Sequence, residues 1–355
     1  MERSVLAFRR RDRRSASLSR VLQQRLGIFG LLGLVACSGA KPAAAPVALA
    51  PPPSVAAPAP SGERWLTQLD ADNALVGKIW DVKAAAFVEP RGVIERAAAA
   101  RFVLLGERHD NPDHHRLQAR VVQQLVAAGR RPALVFEMLE VSQQAAVDDY
   151  VKQPNATATG FGAALGWPHT SWPPFAEYQP IFEVAFANTL PIFAGNVAQA
   201  DAKALVKQGT AALSPERVRE LRLADAFPAP LEASLADELR ASHCGQLPEK
   251  YLAPMALAQH ARDAQMAKVL GAAGAKDGAV LIAGGGHARL DRGVPYYLAL
   301  DMPGVTVASL VFREVRHGDA DPKAYVAEEG PFDYVWFTPR GSDEDPCAGF
   351  KAPSK

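Results

Sequence analysis

Four stretches of the chain are apolar on consecutive residues and then stop abruptly: Phe102–Leu105 (FVLL), Ala133–Phe136 (ALVF), Pro191–Ala194 (PIFA) and Ala279–Ala283 (AVLIA). A longer fifth stretch, Val305–Phe312 (VTVASLVF), follows them. Apolar residues in succession, rather than in alternation, predict strands covered on both faces. Helical patterns separate these runs. The one after FVLL is well marked, with Asn111 as N-cap and Pro112 in the first turn. Leu117, Val121, Val122 and Leu125 share one stripe, and Gly129 ends it. Strands alternating with helices predict an α/β fold, a mostly parallel sheet flanked by helices.

The polar residues fall where the strands end. FVLL leads into Gly106-Glu107-Arg108-His109 and ALVF into Glu137-Met138. PIFA leads into Gly195-Asn196, and AVLIA into Gly284-Gly285-Gly286-His287. Parallel strands present their C-termini at one edge, and ligands bind in the crevice outside it. Glu107, His109, Glu137 and His287 are therefore predicted to meet in one cleft. Taken singly, each has a plainer role: a glutamate caps a helix, a histidine satisfies a hydrogen bond. Their joint placement is what points to function. Of His114 and His115, one is expected to turn into the cleft and the other to face solvent.

Two further patterns bear on the site. On the predicted helix Pro254–Leu270, Met255, Gln259, Asp263 and Met266 share a stripe, so Gln259 and Asp263 either line the site or join a buried network. The segment Trp167–Tyr178 (WPHTSWPPFAEY) is rich in aromatics and prolines. It makes either a rigid loop on the core or an aromatic wall for a flat ligand. Gly284–Gly286 lacks both G-x-G-x-x-G and a P-loop lysine, which argues against a nucleotide site. No G-x-S-x-G elbow occurs, nor any C-x-x-C or C-x-x-C-H. Zinc-ribbon spacing and covalent c-type haem attachment are thereby excluded.

Charge and composition change the picture at the N-terminus. Residues 1–25 hold eight arginines against Glu2 and Asp12, followed by the apolar LGIFGLLGLVA up to Cys37. Those eleven apolar residues rise about 16 Å as a helix, against a bilayer core of about 30 Å. The pattern predicts a secretory signal over residues 1–36. Leu34–Cys37 (LVAC) resembles a bacterial lipobox, which would make Cys37 the lipidated first residue of the mature chain. Removing residues 1–36 takes the net charge from +1 to about −5, which argues against nucleic acid as a partner. Residues 37–62 then read as lipidated cysteine and Ala/Pro-rich tether, and 63–355 as the folded domain. Ser38 after Cys37 favours the outer membrane, facing the periplasm, by analogy with enteric lipoproteins. Cys244 and Cys347 are the remaining cysteines, and in an exported protein such a pair can form a disulfide.

Taken together, LLGERHDNPDHHRLQ (104–118), LVFEM (134–138), Trp167–Tyr178, LPIFAGN (190–196), AQHARDAQMA (258–267), AGGGH (283–287) and GVP (293–295) resemble the ChaN-like haem-binding lipoproteins. These lie within a larger grouping that includes Tiki proteases, TraB-type proteins and erythromycin esterases. The resemblance implies a smaller helical subdomain, from about 140–185 and 197–253, beside the parallel body. It implies a role in haem or iron uptake, with haems held face to face at a homodimer interface and iron bound by tyrosine and histidine. Tyr178 is the first choice for the tyrosine, with Tyr150, Tyr251 and Tyr296 as alternatives.

Two readings follow, and a third stands behind them. In the first, the protein binds haem non-covalently through Tyr178, His109 or His287, with Trp167, Trp172 and Phe175 covering the porphyrin and Gly285, Gly286, Gln259 and Asp263 lining the cleft. In the second, Glu107, His109, Glu137 and His287 hold a divalent cation (Mn, Fe or Zn) for hydrolysis, with Glu107 or Glu137 as general base. The third is a non-catalytic periplasmic scaffold.

Overall fold

The computed structural model describes residues 64–345 and 347–348. The segments expected to form a signal peptide and a tether, with Cys37 between them, lie outside the described residues. Eight strands form one sheet: β1 (Ile79–Asp81), β2 (Ala86–Val88), β3 (Phe102–Glu107), β4 (Ala133–Glu140), β5 (Ile192–Asn196), β6 (Ala279–Gly284), β7 (Val307–Glu314) and β8 (Tyr334–Thr338). Their order is β2-β1-β8-β7-β3-β6-β4-β5. The six strands from β8 to β5 run parallel, and β1 and β2 add an antiparallel edge. The expected mostly parallel α/β fold is what the chain forms.

All five apolar runs are strands, and the reason for their unbroken character is visible in β3. Val103 and Leu105 join one apolar core, while Phe102 and Leu104 join the other. Period-two side-chain alternation then requires an apolar residue at every position. On the first face lie α1 (Pro90–Ala99), α2 (Pro112–Ala127), α3 (Gln144–Val151), α4 (Ala158–Ala164) and α5 (Phe175–Ala187). Beyond them in sequence come α6 (Gln199–Gln208), α7 (Pro215–Glu220), α8 (Ala229–Ser242), α9 (Leu252–Ala273), α10 (Val294–Asp301) and α11 (Pro322–Glu329). Of these, α6, α9, α10 and α11 supply the second core. A small third cluster joins α8 to α9 through Leu235, Leu239, Leu252 and Ala256.

The chain leaves β3 toward β4 on one side, and β6 later fills the place between them before leading to β7 on the other side. That reversal is where an open parallel sheet opens a crevice. Directly behind it, α2 starts as its sequence predicts. Asn111 Oδ1 accepts from Asp113 N at 3.0 Å, and Pro112 fills the first turn. Gly129 follows the helix end with φ 87°. Cys244 and Cys347 are disulfide-bonded across 103 residues. Among the described residues, no helix is long and apolar enough to cross a membrane.

Candidate functional site

Glu107 is the last residue of β3, and Glu137 lies inside β4, where the pairing with β5 shifts register between Phe136 and Glu140. Asn196, at the end of β5, donates from Nδ2 to the Glu137 carbonyl at 3.0 Å and so holds that irregularity in place. The Gly284 amide donates to Glu137 Oε2 at 2.8 Å. A Cβ on Gly284 would stand 3.0 Å from His109 Nε2, so a side chain here would press into the imidazole. Glu107 and Glu137, from two strands, and His109 and His287, from the turns after β3 and β6, are thus brought together as predicted.

They form two imidazole–carboxylate clusters. In the first, Glu107 Oε1 accepts from the Tyr178 hydroxyl at 2.7 Å and lies 2.8 Å from His109 Nδ1, while Oε2 faces His115 Nε2 at 3.2 Å. In the second, His287 Nδ1 meets Asp263 Oδ1 at 2.5 Å and its Nε2 stands 3.3 Å from Glu137 Oε1. His109 Nε2 and Glu137 Oε2, 3.8 Å apart, join the two.

Burial alone would raise both glutamate carboxyls, but the imidazoles override it. His115 and His109 hold Glu107 well below the usual carboxylate range, and His287 with His109 holds Glu137 at about 2. The imidazoles respond in the opposite sense. Burial would lower them, yet Glu137 and Glu107 lift His109 to about 9, and Glu137 and Asp263 lift His287 to about 10. Burial, followed by the charge of Glu107, pushes the Tyr178 phenol far above its usual range, so it remains a neutral donor.

Over this floor opens a cavity of about 680 Å³. Glu107, His109, Glu137, Gln259, Asp263, Gly285, Gly286, His287 and Trp172 all line it. His109 is the accessible imidazole: its side chain is 35 % exposed against 10 % for His287. The Trp172 ring meets it edge-on at 4.9 Å. Gln259 Oε1 is buried and has no hydrogen-bond partner among the described residues.

Other expected residues are placed differently. Tyr178 is wholly buried, stacked on His115 at 3.8 Å, and its hydroxyl is taken by Glu107 rather than offered to the cavity. Trp167 is buried against Tyr178 and donates from Nε1 to the Pro173 carbonyl, and Phe175 packs into the same aromatic core. None of Tyr150, Tyr251 and Tyr296 lines the cavity. Neither of the two adjacent histidines behaves as expected. Both are wholly buried because the first turn of α2 is packed between α5 and the ends of β7 and β8. His114 accepts from Arg108 N and contacts Thr338 Oγ1, while His115 supports Glu107 from behind. Nor do three of the donors stand in a metal-holding arrangement among the described residues, which leaves the Mn, Fe or Zn expectation without support. His109 Nδ1 and both nitrogens of His287 are instead turned toward carboxylates.

Arg108, Arg262, Arg292 and Glu238 also line the cavity and were not singled out from sequence. Arg262 could have been found, since it follows Gln259 by three positions on the helix. Glu238 belongs to a helix whose sequence carries no comparable mark.

A sequence profile described as haem-binding uptake, Tiki superfamily, ChaN matches residues 93–298. No curated protein matches the sequence. Among solved structures, that of cofacial haem binding to ChaN of Campylobacter jejuni is 20 % identical over 73 % of this chain and 95 % of that one, with a TM-score of 0.58. The type III effector HopBA1 is 12 % identical over 70 % of this chain and 91 % of its own, with a TM-score of 0.35. An erythromycin esterase mutant in its open conformation is 14 % identical over 63 % and 72 %, also at 0.35. The latter two superpose too loosely to carry an argument. With more than half of the chain matched by the profile, this protein belongs to the haem-binding uptake family ChaN of the Tiki superfamily.

Proposed function

We propose that the protein binds haem non-covalently in the cleft at the strand C-termini, in the service of haem or iron uptake. The observation that carries this reading is the state of His109. Its Nδ1 is held by Glu107, while the half-exposed ring carries Nε2 at the cavity beside Trp172. A carboxylate on one imidazole nitrogen orients the other for a metal and raises its basicity. Haem, when bound, would supply an iron that accepts a nitrogen donor. His109 would be the residue that holds it, through Nε2 and in its neutral form, so binding would release the ring proton to solvent. The cavity lies within the range of about 300–1,000 Å³ typical of small-molecule sites. Trp172, Pro173 and Leu235 offer it apolar surface.

We further infer that the mature chain is an exported lipoprotein, anchored through Cys37. The Cys244–Cys347 disulfide supports an oxidising compartment. Replacement of Cys37 by serine should release the protein from the membrane fraction.

Titration of the purified protein with ferric haem, with bound metals measured on the same sample, tests the binding reading. A saturable Soret shift that disappears in His109→Ala is the expected result. Stoichiometric manganese, iron or zinc, lost in His287→Ala and without any haem spectrum, would favour the hydrolase instead.

A further inference from the structure

A second cavity, of about 320 Å³, lies between α6 and α9. Ala202, Val206, Met255 and Ala258 give it apolar walls, and Lys203, Lys207 and Arg262 stand among its lining residues. Gln259 and Arg262 line both this groove and the main cleft, so the two spaces meet there. The charges of the two spaces are paired differently. Five carboxylates line the cleft (Glu107, Asp110, Glu137, Glu238 and Asp263), and they answer its cations: Arg108 meets Asp110, Arg292 meets Glu238, His109 meets Glu107, and His287 meets Glu137 and Asp263. No carboxylate lines the groove. The cations of the groove are also lightly engaged. Lys203 Nζ donates to the neutral Gln199 Oε1 at 3.1 Å, and Arg262 stands 3.8 Å from Glu137 Oε1.

Haem is an apolar disc with two carboxylates on one edge. Laid on the cleft floor, that edge would meet cations already paired with carboxylates and would gain little from them. Turned to the groove, the same edge finds Lys203 and Lys207 with no carboxylate in the lining, and the aliphatic walls accept the adjoining ring carbons. We propose that the α6–α9 groove is the propionate subsite of the bound tetrapyrrole, with Lys203, Lys207 and Arg262 setting its orientation in the cleft. This deepens the haem reading and rests on it.

The full chain would be titrated with ferric haem and, separately, with haem dimethyl ester, in which both propionates are uncharged. Wild type should prefer haem to the ester, and the preference should shrink as salt is raised. The double variant Lys203→Glu/Lys207→Glu, changed at exposed positions, should bind haem about tenfold more weakly, with the ester unaffected. Lys203→Arg/Lys207→Arg should restore the preference. Equal binding of haem and ester by wild type overturns the subsite and leaves the haem reading intact. So does an equal loss of both ligands in the charge-reversed variant. A wild type that binds neither tetrapyrrole overturns both.

Discussion

Two cleft imidazoles differ in what holds them. His287 has a carboxylate at each nitrogen, Asp263 and Glu137, whereas the nearest fixed partner of His109 is Glu107 at Nδ1. The consequence for stability has a definite sign. His287 is raised from an ordinary value of 6.5 to about 10, so its contribution is complete below pH 6.5 and is lost as pH climbs through 10. Glu137 is depressed from 4.5 to about 2, so its contribution is present above pH 4.5 and is lost as pH falls through 2. Denaturant midpoints measured against pH should therefore decline on both sides of a plateau near pH 5–6.5, and His287→Gln should flatten the alkaline limb. A wild-type midpoint that stays level from pH 6.5 to 9 would contradict the assignment. Tyr178→Phe should cost about 1.5–3 kcal/mol in denaturant unfolding, because a hydrogen bond to a buried carboxylate is lost. The haem Soret band should survive that change. Loss of the band at unchanged stability would mean that the phenol, and not His109, meets the iron. At this scale the sequence identified the right chemical types, and Glu107, His109, Glu137 and His287 do converge. It could not show that Tyr178 points inward, since the tertiary packing of α5 on α2 and the sheet sets that direction.

At the scale of elements, the apolar runs were legible because a strand buried on both faces has no place for a polar residue. Their ends were not. Glu107 continues β3 and Glu137 sits well inside β4, although each reads locally as the start of a loop. Strand β8 passed unnoticed, although Tyr334, Val335, Trp336 and Phe337 are strong strand formers. The start of α2 was legible in full, since a cap is a local device. Asn111 does more than its sequence position implied: Nδ2 also donates to Glu314 Oε1 at 2.7 Å and to the Pro339 carbonyl at 3.1 Å. Asn111→Ala should thus exceed the usual capping loss of about 1 kcal/mol. Asn111→Asp keeps the capping oxygen but cannot make those donations, so it should recover only part of the loss. Full recovery in chemical denaturation would show that the cap alone matters. Gly195→Ala tests the close packing of β4, β5 and α9, because its Cβ would lie 2.8 Å from Val135 Cγ1 and 2.9 Å from the Phe136 carbonyl oxygen. A loss of about 1–3 kcal/mol in the same assay is expected for such overpacking, and an unchanged midpoint would show that the strands yield.

Across the whole molecule, the Cys244–Cys347 bond ties the segment after α8 to the C-terminal region over 103 residues. In the chain-entropy account, a loop of this length stabilises the fold by about 4–5 kcal/mol, chiefly through the unfolded state. Cys347→Ser should lower the unfolding midpoint accordingly, and a reducing agent should do the same to wild type while leaving the variant unmoved. Equal midpoints with and without reductant would remove the bond from any role in stability. The pairing was open from sequence, since only the folded backbone brings the two cysteines within reach. The strand order was equally out of view, because insertion of β6 between β3 and β4 is a choice of topology that hydropathy does not record.

What the sequence determined alone is what depends on neighbours along the chain: the five strand runs, the capped start of α2, and the rule that the chemistry sits at strand ends. What only the tertiary structure decided depends on groups that meet across the sheet. It fixed which imidazole keeps a nitrogen at the cavity, which tyrosine is spent on a buried glutamate, and how carboxylates and lysines sort into adjoining spaces. Side-chain direction in a helix, and the distance between charges on different elements, are set by packing, and no local pattern encodes them.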